Sequence, residues 1–514
     1  SSVQGTVVNA LTGEGLRKAT VILRSSDTVN GFSYAEEADA NGRFRIDDVL
    51  PGEYSVTADR QNFFLRPDGA PGAPPPRLKI AAGEQVDGLL IKLVPAGVIT
   101  GRVLDQDGDP VRGALVQVMQ YVYVAGERQL RQTIQVVSKD KGDYRLFNLR
   151  AGTFFIRAMV GRNGPSWNQE LVYSGHAPSE YAVTFFPSAV DAASATPIQL
   201  SAGAELRGYD ITMHSETPHR IRLTLPSGDA SGILPQLRPR DGTFFTNGGM
   251  SFSGDKVEFS AVVPGAYVIL ATRQDGAAKS YARLEVDVRD ADVDAGTLEF
   301  QPPRELSGTV KIEGNPARPP PNVRFALQPD GPSLRGEASA DIKPDGKFTI
   351  KDVAPGIYRT AVVTGPGNLY VKSIRVGDQA LLDRRIDLTK SAVDILTVVL
   401  GADAAEVQGA VKKANGDPCV HARITLFPDG ATANRPDLFK FVFSDEKGDF
   451  HFKGIAPGEY KLFAWEDVLG GQPQDPDFRK RFEKQASPLK VRSNGHEKVG
   501  LTAISVAATT RADQ

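Results

Sequence analysis

A four-residue step, Pro-Gly-x-Tyr, recurs along this 514-residue chain and constrains its fold more than any other feature. It stands at Pro51–Tyr54, Pro264–Tyr267, Pro355–Tyr358 and Pro457–Tyr460, with a weaker copy at Ala151–Phe154. The glycines of the five copies, at 52, 152, 265, 356 and 458, lie 100, 113, 91 and 102 residues apart. Ten residues before four of them comes a second glycine, in Asn41-Gly42, Lys141-Gly142, Asp345-Gly346 and Lys447-Gly448. The third copy has only Gly254-Asp255 there. Self-similarity at a fixed period marks a repeated structural unit, so the chain reads as five related units.

Each unit reads as strands. The Asn-Gly or Asp-Gly pair supplies the positive φ of a tight hairpin turn. An alternating strand follows (Phe44-Arg45-Ile46, Phe348-Thr349-Ile350), Pro-Gly turns the chain, and the next strand opens on an aromatic (Tyr54, Tyr460). Alternation buries one face and wets the other. A first strand recurs at Val3–Val7, Ile99–Val103, Leu306–Val310 and Val407–Val411, with Gly5, Gly101, Gly308 and Gly409 at its centre; the third unit has Ile221-Arg222-Leu223-Thr224-Leu225 instead. Last strands are expected at Leu89–Val94, Tyr209–Met213, Gly296–Phe300, Val393–Leu400 and Val499–Ser505. Strands at short intervals in units of this size predict an all-β chain, a tandem array of five sandwiches of about seven strands with one short helix in the last. The expected domains are 1–97, 98–216 (with a long aromatic loop), 217–302 (degenerate), 303–403 and 404–514 (with the helix). Short joints containing Pro95 or Pro302-Pro303 predict a semi-rigid rod or arc of five beads.

These motifs resemble the carboxypeptidase regulatory-like domain, a transthyretin-like (prealbumin-like) sandwich. The shared pattern is Gly-x-Val in the first strand, Gly-x-Pro before an Ala-x-Val strand, Asp-x-x-Gly-x-Phe, then Pro-Gly-x-Tyr. Units one, two, four and five carry most of it. The resemblance implies a spacer, scaffold or binding platform in exported bacterial proteins. The zinc peptidase that precedes this module in its namesake enzymes needs a His-x-x-Glu pair. None of His176, His214, His219, His421, His451 and His496 begins one. Related pilin repeats carry Lys–Asn isopeptide bonds from an Asn on the last strand. None of the five last strands holds Asn, so no such staple is expected.

Composition removes other classes. With 40% hydrophobic and 24% charged residues the chain is globular rather than disordered. A net charge of −2 lacks the basic excess of a nucleic-acid binder. No apolar run approaches the 18 or so residues of a membrane span. Ser1 is followed by no basic or apolar leader, which fits a mature extracellular, cell-surface or periplasmic chain after signal removal, or one never exported. No Walker loop, nucleophile elbow or Cys-x-x-Cys is present. The expectation is therefore no enzyme, no cofactor and no metal. Asp105, Asp107 and Asp109, and the run Asp287–Asp294, read as turns rather than calcium loops. Cys419, the one cysteine, reads as a small residue beside a turn.

Two features could carry contacts. The second unit has the longest excursion, with Trp167, Tyr173, His176, Tyr181, Phe185 and Phe186; Tyr121 and Tyr123 lie on a long hairpin of the same unit. Such rings cap their own core, or grip a sugar or a protein. In the last unit Asp475 caps a helix of about 12 residues with Pro476 at its first position. Phe478 and Phe482 share one face, and Arg479–Glu483 form a surface pair. The proline clusters Pro71–Pro76 and Pro316–Pro321 read as polyproline loops protecting sheet edges. The functional expectation is a non-catalytic structural protein, a surface scaffold or self-assembling filament subunit that partners itself or other surface proteins. The alternative is a polysaccharide- or protein-binding module using Trp167, Tyr173, His176, Tyr181, Tyr121 and Tyr123.

Overall fold

The computed structural model describes residues 1–26, 31–65, 77–124, 127–160, 180–226, 232–240, 242, 249–275, 278–313, 323–363, 369–381, 384–389, 395–433, 435–468, 471–505 and 509. The two proline clusters, and Trp167, Tyr173 and His176, lie outside those residues. The described chain is a tandem series of β-sandwiches. In the first repeat one sheet has the order Arg43–Ile46, Ser2–Asn9, Gln85–Pro95, Phe63–Leu65. The other has the order Ser33–Glu37, Thr20–Ser25, Gly52–Asp59, Arg77–Ile80. In every repeat the opening strand is flanked by the strand after the glycine turn, antiparallel, and by the closing strand, parallel. A parallel neighbour requires a crossover, and here the crossover is the other sheet.

Five separate hydrophobic cores result, one per sheet pair. They repeat the same positions, such as Val3, Val7, Phe44, Ile46 and Tyr54 in the first and Val407, Val411, Phe450, Phe452 and Tyr460 in the last. Each fully buried aliphatic or aromatic side chain contributes about 1.5–3 kcal/mol. The closing strands depart from expectation: they run Gln85–Pro95, Val293–Thr297, Leu396–Gly401 and His496–Thr502, and the second is broken into Glu205–Leu206 and Ile211–Thr212. The expected bounds followed apolar residues, whereas the ladder follows backbone partners on the opening strand, polar or not.

The central glycine of the opening strand has a steric cause. Gly5, Gly101, Gly308 and Gly409 stand opposite Phe44, Tyr144, Phe348 and Phe450. A Cβ would collide with a closing-strand carbonyl at Gly5 and Gly409, with the Tyr209 carbonyl between the two closing pieces at Gly101, and with the Phe348 ring at Gly308. In the third repeat Leu223 takes the glycine's place and its partner is Val257. The bulk has moved across the ladder, from one strand to its neighbour.

The glycine turns are real but are not hairpins in four repeats. Gly42, Gly142, Gly346 and Gly448 all have φ between +75° and +81°. The strands they join belong to opposite sheets: Ser33–Glu37 pairs with Thr20–Ser25, while Arg43–Ile46 pairs with Ser2–Asn9. The turn is a corner between layers. In the first and fifth repeats an aspartate braces it: Asp39 accepts from the amides of Asn41 and Arg43, and Asp445 from those of Lys447 and Asp449. Only the third repeat makes the expected hairpin, with Met250–Ser253 paired directly to Lys256–Val262 around Gly254.

Two further devices recur. Asp48, Asn148, Ala261, Asp352 and Gly454, each four residues before a repeat glycine, all have φ between +56° and +65°. In the second to fifth repeats the ladder shifts register at this point, which marks a β-bulge. Asp, Asn and Gly tolerate left-handed backbone; Ala does not. The Pro-Gly-x-Tyr tyrosine folds back on its own loop. Tyr54, Tyr267, Tyr358 and Tyr460 donate to the carbonyls of Leu50, Val263, Ala354 and Ala456 at 2.8, 2.9, 2.7 and 2.8 Å. In three repeats the ring lies over the glycine, where a Cβ would stand 3.2–3.4 Å from it.

The helix is shorter than the expected 12 residues: it spans Pro476–Lys480, and a separate 3-10 turn follows at Glu483–Gln485. Its cap is as expected, with Asp475 accepting from the amides of Asp477 and Phe478. Phe478 and Phe482 pack together at 5.1 Å against the fully buried Trp465, on the helix's own sandwich. Glu483 pairs with Lys461, and Arg479 lies 4.1 Å over the Phe427 ring and donates to the Pro473 and Gln474 carbonyls. A helix this short has no stability of its own, so packing rather than surface pairing sets it.

Candidate functional site

The described aromatic residues of the second repeat serve different ends. Tyr181 packs on the sandwich core and its hydroxyl reaches Asp105 Oδ2 at 3.4 Å. Phe186 packs on Tyr209 at 5.1 Å. Tyr121 meets Phe155 edge-on at 5.2 Å in an outer cluster with Met119 and Phe185, under the Arg128 guanidinium at 3.6 Å. Tyr123 belongs to neither cluster. Its hydroxyl is buried, and burial together with the Asp475 charge pushes its pKa up. Asp475 is in the fifth repeat. A Cβ at Gly471 would lie 3.7 Å from the Tyr123 ring and 3.8 Å from the Tyr121 carbonyl oxygen. The second and fifth repeats therefore touch, and of the expected rod or arc the contact favours the arc.

Several described side chains with chemical potential are occupied structurally. Ser188 Oγ lies 2.7 Å from His214 Nε2, the distance of a nucleophile and its base. The same nitrogen is 2.9 Å from the Ser188 carbonyl oxygen, which only accepts. Nε2 thus carries the proton and has no lone pair for the serine. Ser188 Oγ donates instead to the Thr212 carbonyl at 3.2 Å. Asp105 accepts from the amides of Asp107 and Asp109 at 3.0 and 2.8 Å, bracing its own turn. Asp292 accepts from Arg220 N and Arg222 at 2.9 Å each. Among the described residues no group of three or more His, Cys, Asp or Glu could hold a metal ion. Cys419 is fully buried, and burial pushes its thiol pKa up. Its carbonyl accepts from Ser444 Oγ at 2.6 Å, as the Val111 carbonyl accepts from Ser138 Oγ at 2.7 Å. The cysteine stands where a valine stands in the second repeat.

Polar chemistry concentrates at the joints. A single residue, Ala96, separates strand Gln85–Pro95 from Gly97–Leu104, and Arg150 stacks 4.2 Å over Phe64. Between the third and fourth repeats Asp352 accepts from Tyr281 at 2.7 Å, Lys279 at 3.2 Å and Arg335 at 2.9 Å. Burial alone would raise its pKa, but these donors bring it below the usual value of 3.8. Arg238 and Arg283 reach the Ser333 and Pro332 carbonyls at 3.0 and 3.1 Å. Between the fourth and fifth, Arg384 pairs with Asp437 at 2.8 Å and Arg435 donates to the Val371 carbonyl at 2.8 Å. Tyr370 donates to Asp403 at 2.9 Å and packs on the fifth core.

One exposed surface was missed by sequence reasoning. Phe441 and Phe443 of edge strand Lys440–Phe443 and Phe439 just before it form a row with ring centroids 6.2 and 5.9 Å apart, its ends half-buried and its middle exposed. Phe441 is 39% exposed and Arg423 stacks on it at 4.4 Å. The alternation Phe439-Lys440-Phe441-Val442-Phe443 was the available signal.

Comparison with known proteins agrees with the repeat motifs. Residues 2–66 match the family model of the carboxypeptidase regulatory-like domain. A UDP-N-acetylglucosamine 1-carboxyvinyltransferase of Methylobacterium radiotolerans is 26% identical over 238 residues, 45% of this chain. The chain spans about half the length of that curated relative (51%). Among solved structures, the Bacillus anthracis TIE protein overlaps 98% of this chain and 74% of its own at 11% identity and a TM-score of 0.17. The Streptococcal ancillary pilin overlaps 56% and 99% at 11% identity and 0.21. The shaft pilin SpaA of Lactobacillus rhamnosus GG overlaps 41% and 96% at 10% identity and 0.22. Overlays at these scores carry no argument about assembly or ligands.

Proposed function

We propose that this chain is a non-catalytic structural scaffold working outside the cytoplasm, built of five domains with boundaries near 97, 216, 302 and 403. The observation that carries the reading is the series of bonded joints. Side chains that could do chemistry are spent on turns, cores and contacts between neighbouring sandwiches, above all Asp352 and the Arg384–Asp437 pair. No described helix is long and apolar enough to cross a membrane.

Self-association is the finer part of the proposal. The phenylalanine row lies on an edge strand, and edge strands offer unpaired backbone groups to another chain. The partner is a second copy, meeting edge to edge as an isologous contact. Sedimentation velocity and negative-stain microscopy over a concentration series test it. Growth in size with concentration, abolished by Phe441→Asp, is the expected outcome. One particle size at every concentration would overturn self-association.

A further inference from the structure

Among the described residues the two longest hairpins lie in the second and third repeats. Leu115–Val124 pairs with Glu127–Val137 (10 and 11 residues), and Gly265–Asp275 with Ala278–Val288 (11 each). The strands matching the first of these have 6 and 5 residues in the first repeat, 6 and 4 in the fourth, and 7 and 4 in the fifth. The first strand is longer by three or four residues and the second by six or seven; at roughly 3.3 Å per residue that carries the hairpin about 10–20 Å past its sandwich. The third repeat's hairpin uses its length on a neighbour: Lys279 and Tyr281 bind Asp352, and Arg283 binds the Pro332 carbonyl.

The second repeat's hairpin reaches a non-neighbour. Its residues Tyr121 and Tyr123 lie beside Gly471, and Tyr123 lies beside Asp475; these two residues flank the 3-10 turn Gln472–Gln474, and together they make a shelf of the fifth repeat. The shelf is held from below by Arg479, which bonds to the Pro473 and Gln474 carbonyls, and by the capping bonds of Asp475. A Cβ at Gly471 would already stand in van der Waals contact with the Tyr123 ring and the Tyr121 carbonyl, so a long side chain there meets the hairpin.

We infer that this hairpin is a strut that seats the fifth repeat against the second and closes the array into an arch. The contact is small, but both surfaces belong to one chain. An intramolecular contact acts at a high effective concentration when the connection already holds its ends near each other. The bonded joints at Asp352 and at Arg384–Asp437 supply that constraint. The strut therefore sets the shape of the whole array, whereas each repeat keeps its own core. The inference is independent of self-association: it concerns the shape of a single molecule.

Two variants of the full chain test it. In Gly471→Arg the added side chain occupies the seat. The expected result in small-angle scattering is a longer maximum dimension than wild type, with circular dichroism unchanged because no core is touched. In Tyr123→Cys/Gly471→Cys a disulfide needs Cα atoms within about 7 Å, and a Cβ at Gly471 lies 4.0 Å from Tyr123 N. Mild oxidation at low protein concentration is expected to cross-link it within the monomer, and the native Cys419 is buried away from exchange. Equal dimensions for wild type and Gly471→Arg, or failure of the folded double variant to cross-link, would overturn the strut.

Discussion

The third repeat and its four siblings solve one packing problem in two ways. In the siblings a glycine on the opening strand faces an aromatic ring on the next strand; in the third, Leu223 faces Val257. Interiors are packed close to crystal density, so a ring cannot be lost without something filling its space. Leu223 fills it from the opposite strand and is buried at 2% exposure. The third repeat also recruits strand Met250–Ser253 into its first sheet, where the siblings send the matching strand to the second. The lesson is that a recurring glycine records the bulk of its cross-strand partner. A repeat that loses both together has not decayed.

The largest test of this comparison inverts the volume at the two kinds of site. Gly409→Ala drives a methyl into the Val499 carbonyl and against the Phe450 ring, so a loss above about 3 kcal/mol is expected in the fifth repeat alone. Leu223→Ala leaves a cavity and is expected to cost about 2–5 kcal/mol in the third. Hydrogen exchange followed peptide by peptide in the full chain reads each repeat separately. Equal effects of Gly409→Ala across all five repeats would dissolve the distinction.

Next in size is the tyrosine bond. Tyr358→Phe removes the 2.7 Å bond to Ala354 and strands that carbonyl, at an expected cost of about 1–2 kcal/mol, measured the same way. The second repeat already has Phe154 at this place, so it sets the lower bound of what a sandwich of this kind tolerates.

A smaller effect has the opposite sign. Ala261 holds φ +56° where the fifth repeat has Gly454. Ala261→Gly is expected to stabilise the third repeat by about 1 kcal/mol, and Gly454→Ala to destabilise the fifth by a similar amount. Slower and faster exchange in the respective bulge strands is the readout.

The smallest is a pH effect at the joint between the third and fourth repeats. The folded pKa of Asp352 lies below its ordinary 3.8. Its contribution is complete above that ordinary value and is lost as pH falls through the lower folded one. Exchange at Tyr281 and Lys279 is thus expected to be unchanged down to about pH 4 and to rise below it.

Much of this fold was legible because it is local. Gly42 and Gly346 announce turns, Tyr54 and Tyr460 announce buried strand starts, and Asp475-Pro476 announces a helix cap. What escaped depends on partners distant in sequence. Nothing near Gly42 says whether the next strand joins the same sheet or the opposite one. The left-handed bulge at Asn148, Asp352 and Gly454 was present in the residue types, but its cause is register against the opening strand. The candidate ligand residues fared differently again. Tyr181 and Tyr121 are packed within their own repeat, Tyr123 meets a surface some 350 residues away in the chain (Gly471), and the phenylalanine row on strand Lys440–Phe443 was overlooked.

The proposed scaffold holds its five sandwiches at fixed angles. Electron-microscopic class averages of the dilute, unmodified chain test it most directly. The account predicts five beads in an arch of one curvature, with the second bead meeting the fifth. Beads joined at a broad spread of angles, with the second and fifth apart, would contradict it.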